Sequence, residues 1–178
     1  MALFPWKKGA AGTNDGDKGD AGKPPAGGDD GKFEFSPEKA ERFFGVARNR
    51  HDVQSFDYAA NMWLQGLRFD PNNVEAVKGF FSSVTGHVSS TGAKSSTKDL
   101  DAAVNGRTPV HRFLSLLLAW SFDQLSSDKA VKAAVAAADL GLREVAGYLL
   151  PSALKLAMKQ DRQRKDHHVK LMEAFEKI

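Results

Sequence analysis

Apolar residues recur at spacings of three and four along most of the chain, which is the signature of amphipathic helices. Ala40, Phe43, Phe44 and Ala47 form the first stripe, opened by Ser36-Pro37. A serine oxygen there can accept from a free helix amide, and proline in the first turn costs no hydrogen bond. His51 to Gln54 breaks the stripe, and Phe56, Ala59, Ala60, Trp63 and Leu67 form the second. That helix is expected to stop near Phe69, because Pro71 cannot continue it and restricts Asp70. Val74 to Phe81 reads as a third helix, and the serine-, threonine- and glycine-rich run over 82–98 reads as a loop. Asp99 to Val104 adds a short helical turn.

Thr108-Pro109 restarts helix in the same manner, with Val110, Phe113, Leu114, Leu117, Leu118 and Ser121 as its buried face and Trp120 and Leu125 beside it. Ser127-Asp128 opens the next helix, over Lys129 to Leu140, with Gly141 as its left-handed cap. Alanine on nearly every face of that segment implies close neighbours. Leu142 to Met158 is helical again, and Pro151 inside it should kink the helix or divide it. Lys165 to Ile178 closes the series, with Val169, Leu171, Met172 and Phe175 as its apolar positions.

The first 32 residues do not share this pattern. Residues 9–32 are mainly glycine, alanine, aspartate, lysine and proline, with no aromatic or branched aliphatic side chain. Such a segment cannot bury enough apolar area to offset the ~1–2 kcal/mol per residue of ordering entropy, so a disordered low-complexity tail is expected. Gly16 to Pro24 reads as three Gly-X-Y triplets, too few for a collagen helix. The folded domain is expected over 33–178.

The first two helices resemble a tetratricopeptide repeat, a 34-residue helical hairpin of large and small positions. With its closing proline on Pro71, the repeat spans about 40–73. Phe43 takes the large position of the first helix, Val46 the aliphatic and Ala47 the small one. Ala59, Trp63, Gly66 and Leu67 match the second helix, while Arg50 stands where a large apolar residue is usual. The resemblance implies an all-α fold of antiparallel helical hairpins stacked as a short array, with irregular repeats after the 82–98 loop. Ala47 and Ala59 should let the two helices nest, with Phe43 and Trp63 wedged alongside.

Composition removes several chemistries. The 178 residues include no cysteine, which excludes disulfides, thiolate metal sites and thiol nucleophiles. A net charge of +3 from 25 basic and 22 acidic side chains is a mixed surface, not that of a duplex-DNA binder. Arg162, Arg164, Lys165 and Lys170 are interleaved with Asp161, Asp166 and Glu173, the pattern of a solvated helix face, so no nucleic-acid partner is expected. No apolar run reaches the ~18–20 residues that span a bilayer, and Met1 to Lys8 is not a secretory signal; a cytoplasmic location is expected. His167 and His168 project about 100° apart and cannot make the i, i+4 pair of a zinc helix. Gly92-Ala93-Lys94-Ser95 lacks the glycine before lysine of a phosphate loop. No catalytic residue, metal site or cofactor is expected.

These exclusions leave a non-catalytic scaffold for a protein or peptide. In tetratricopeptide proteins the first helices of successive repeats line a groove, and the resemblance places Glu41, Phe44, Arg48, His51 and Asp52 in it. The carboxylate clamp of the chaperone-tail-binding members is not matched, since Phe44 and Arg48 stand at its lysine and asparagine positions. The alternative function is tethering: Leu3, Phe4, Trp6, Lys7 and Lys8 would attach a complex to a membrane surface or a partner. The apolar last helix is also expected to be covered, either by further repeats of a longer array or by a partner. The residues do not fix the oligomeric state.

Overall fold

Short polar residues and prolines set the helix boundaries, and the resulting order is eight helices without a strand among the described residues. The computed structural model describes residues 34–159 and 165–178. The helices are α1 (Pro37–Asp52), α2 (Phe56–Leu67), α3 (Val74–Thr91), α4 (Lys98–Val104), α5 (Pro109–Ser121), α6 (Ser127–Asp139), α7 (Arg143–Met158) and α8 (Lys165–Glu176). The tail and its Leu3–Lys8 cluster lie outside the described residues, as do Asp161, Arg162 and Arg164. No described helix is long and apolar enough to cross a membrane.

The side chains of their own N-cap residues cap four of the eight described helices. Asn73, Thr97, Thr108 and Ser126 accept from the amides of Ala76, Leu100, His111 and Lys129. Gly141 follows α6 at φ +69°, the left-handed region in which glycine meets no Cβ penalty. Ser36 departs from the expectation. Its side chain makes no capping bond, and its N–H donates instead to the Phe69 carbonyl at 3.1 Å, tying the start of α1 to the end of α2.

Consecutive helices pack on one another as hairpins, α1 on α2, α2 on α3, α5 on α6 and α6 on α7, and α8 closes over α6 and α7. Ala47 and Ala59 are both fully buried. The ring filling the space beside Trp63 is Phe44, not Phe43: the centroids of Phe44 and Trp63 lie 5.5 Å apart. Phe43 is only half-buried and stacks on Phe69 at 5.9 Å, while Val46 is exposed. Gly66 makes the Phe44 seat possible, since a Cβ there would fall 2.3 Å from its Cε1.

The expected loop over 82–98 is largely helix, because α3 continues to Thr91. Its hydroxyls bond back along the helix: Ser83 to the Gly79 carbonyl, Thr85 to Phe81 and Thr91 to His87. Val84 is buried and Val88 packs on the core, so burial overrides a composition suited to a loop. Gly92, at φ +69°, then ends the helix. Pro151 does not divide α7, which runs as one element. Leu125, expected beside the α5 core face, is 85% exposed.

The early and later helices are also bonded directly. Asn72 Oδ1 accepts from the amides of Glu144 and Val145 at 3.2 and 3.3 Å. It therefore caps α7, whose own N-cap residue, Leu142, has no side-chain cap. Phe81 packs edge-on against Trp120 at 5.1 Å, and Gln124 Nε2 donates to Thr85 Oγ1 at 2.9 Å.

Candidate functional site

The five residues expected to line a groove on α1 separate into three environments. Phe44 is 2% exposed and belongs to the core, so it is withdrawn from any binding surface. Its proximity to Trp63 explains why: the phenyl ring fills the gap between α1 and α2. Phe44→Ala would open a cavity costing about 3–5 kcal/mol and is a stability variant, not a probe of contact. Glu41 and Arg48 are exposed and paired with each other, and Asp52 is exposed at the last turn of α1.

His51 is half-buried against α3. Its Nδ1 lies 2.9 Å from Ser83 Oγ, and its ring meets Phe56 edge-on at 5.2 Å. Ser83 also accepts from Trp63 Nε1 at 3.2 Å and donates to the Gly79 carbonyl at 2.9 Å. A hydroxyl has one proton, and that proton is given to Gly79. His51 must then donate from Nδ1, which makes Nδ1–H its neutral tautomer. The arrangement fastens three helices together.

Three of the other four histidines also have a contact of their own. His111 is buried with Nδ1 2.6 Å from Thr108 Oγ1, His87 meets Phe122 edge-on, and His167 Nε2 lies 3.6 Å from Asp128 Oδ1. Among the described residues no three histidine, aspartate or glutamate side chains are grouped to hold a metal.

A concave surface does exist, but elsewhere. A groove of about 720 Å³ runs along α6 between α5 and α8. Its floor is the α6 stripe Asp128, Val131, Lys132, Val135, Ala136 and Asp139, at helical spacings of three and four. Pro109, Arg112 and Leu116 form the α5 wall, and Asp166, His167 and Lys170 the α8 wall. No α1 residue reaches it.

Its charges are partly neutralised within the protein. Asp128 pairs with Lys132 at 2.6 Å, and Asp139 with Lys177 at 2.6 Å. The bond to Asp139, and secondarily its charge, raise the Lys177 pKa above the ordinary 10.5. Arg112, Lys170 and Asp166 have no ion pair among the described residues and stand along the walls. The arrangement offers an apolar strip bordered by both signs of charge. The alanine richness of α6 predicted close neighbours, but the groove needs α5, α6 and α8 together, so periodicity within one helix gave no sign of it. The chain matches no family model, no curated protein and no solved structure.

Proposed function

We propose that this protein is a non-catalytic scaffold, tetratricopeptide-like in its hairpins, that binds a protein or peptide segment along α6. The groove between α5 and α8 carries the reading. Its lining on α6 extends from Asp128 to Asp139, about 16 Å at ~1.5 Å per residue, or three turns of a guest helix. An amphipathic helix is bound in this way when its apolar face meets such a strip and its polar flanks meet the rims. Val135 and Leu116, both half-buried, would take the apolar face, and Arg112, Lys170 and Asp166 the flanking charges. The exposed Glu41–Arg48 pair and Asp52 lie outside this surface.

A panel of synthetic amphipathic helical peptides tests the assignment, with fluorescence anisotropy as the readout. Wild-type protein and a Glu41→Ala, Arg48→Ala variant should retain the same peptides, and Val135→Glu should lose them while keeping its helical circular dichroism. Equal retention by all three proteins, loss confined to the α1 variant, or no peptide retained by any of them, removes α6 as the site.

A further inference from the structure

We infer that the outer face of α8 pairs with α8 of a second copy of this chain, antiparallel and about a two-fold axis. The helix docks on α6 and α7 through His167, Leu171 and Ala174, all buried. At 100° per residue the opposite face carries Lys165, Val169, Met172 and Glu176, a single stripe at spacings of four, three and four. Val169 is 55% exposed and Met172 61%, two large apolar side chains adjacent on the solvent side of a helix. Lys165 and Glu176 are exposed at the two ends of the stripe, and neither has an ion pair among the described residues.

The order of these four residues selects the occupant. When two such helices run antiparallel with the two-fold axis midway between residues 170 and 171, residue i faces residue 341 − i of the partner. Val169 then meets Met172, and Lys165 meets Glu176, each pairing occurring twice by symmetry. The stripe is thus its own complement in apolarity and in charge, basic at one end, acidic at the other and greasy between. A parallel pairing would set lysine against lysine. The face lies apart from the groove, whose α8 residues are Asp166, His167 and Lys170, so the inference stands whether or not α6 binds a peptide.

One helix pair is a small interface, so a weak dimer is expected, with a dissociation constant on the order of 10–100 μM. Sedimentation equilibrium of the full chain over a concentration series measures it. Lys165→Glu and Glu176→Lys should each weaken the dimer about tenfold, because either change creates two like-charge contacts. The combined Lys165→Glu, Glu176→Lys variant should recover the wild-type constant, and Met172→Asn should abolish association. All four positions are exposed, and unchanged circular dichroism checks that folding is intact. A wild-type mass that stays monomeric to about 0.5 mM overturns the inference, and so does coverage of the face by another protein or by the chain's own N-terminal segment. A dimer indifferent to the charge reversals, or one not restored by the swap, overturns it equally.

Discussion

Gly45→Ala and Gly66→Ala are the same chemical change on the two helices of one hairpin, and the structure assigns them opposite signs. Each replaces a helical glycine, which by propensity alone stabilises by about 1 kcal/mol. At Gly45 a new Cβ meets nothing within 4 Å. At Gly66 it would lie 2.3 and 2.5 Å from Phe44 Cε1 and Cδ1 and 3.2 Å from the Ala40 carbonyl oxygen. Carbon atoms in contact prefer ~3.5–4.0 Å, so the overlap exceeds an ångström. The ring has nowhere to go. Phe44 is 2% exposed and leans on Trp63, which is itself bonded to Ser83 and bears on Gly79, where a Cβ would come within 2.5 Å of it. Relief therefore requires α1 and α2 to separate, an overpacking cost of about 1–3 kcal/mol or more.

Urea denaturation should show Gly45→Ala stabilised by about 0.5–1 kcal/mol and Gly66→Ala destabilised by about 1–2 kcal/mol. The two midpoints would then differ by about 0.5–3 M, given typical slopes of ~1–3 kcal/mol/M. Phe44→Leu, which shortens the ring, should recover part of the loss in the Gly66→Ala background, as a coupling energy in a double-mutant cycle. If both alanines raise the midpoint alike, or if positions 44 and 66 do not couple, the packing of α1 on α2 described above is wrong.

Three further outcomes follow from the local geometry. Asn72→Ala should cost about 1 kcal/mol, the usual loss of an N-cap, and hydrogen exchange should quicken at Glu144 and Val145, far away in sequence; unchanged exchange there would refute the cap in trans. Gln54 sits at φ +61°, so Gln54→Gly should stabilise by about 0.5–1 kcal/mol in thermal unfolding, and a lowered midpoint would contradict that backbone conformation. Because Asp139 raises the pKa of Lys177, their bond stabilises the fold fully below the ordinary lysine value of 10.5 and is lost as pH rises through the higher folded value. Wild type should therefore lose more stability than Lys177→Met between pH 9 and 12, roughly the range spanning a raised lysine pKa, and parallel curves would refute the contribution.

Helix number and most boundaries were legible because they depend on residues next to one another. Thr108 caps the helix it precedes, Gly141 ends α6, and Pro71 lies beyond the end of α2. Phase was harder. Phe43 and Phe44 both fit a spacing of three or four to Ala40 and Ala47, and only the approach of α2 through Gly66 decides which ring is buried. Composition misled over Ser82 to Thr91, where hydroxyls that favour loops satisfied themselves on the preceding turn while Val84 entered the core. In α8 the expected apolar set included Val169 and Met172, yet the buried positions are His167, Leu171 and Ala174. Two helical faces competed there, and docking on α6 and α7 selected the one that carries Leu171 and Ala174.

That selection and the groove have a common cause in α6. Ala130, Ala133, Ala134, Ala137 and Ala138 are buried on the faces that meet its neighbours, so α5, α7 and α8 approach its axis closely. Small side chains at those contacts lower α6 relative to the helices on either side. Its remaining face, with Lys132 and Val135, then lies at the bottom of a channel instead of on a ridge. His167 and Leu171 meet the same alanine-bearing helix group, which holds α8 down and turns Val169 and Met172 outward. A bulkier α6 would thus fill the groove and lift α8 together. The groove and the outward stripe are separate surfaces, but one alanine-rich helix shapes both.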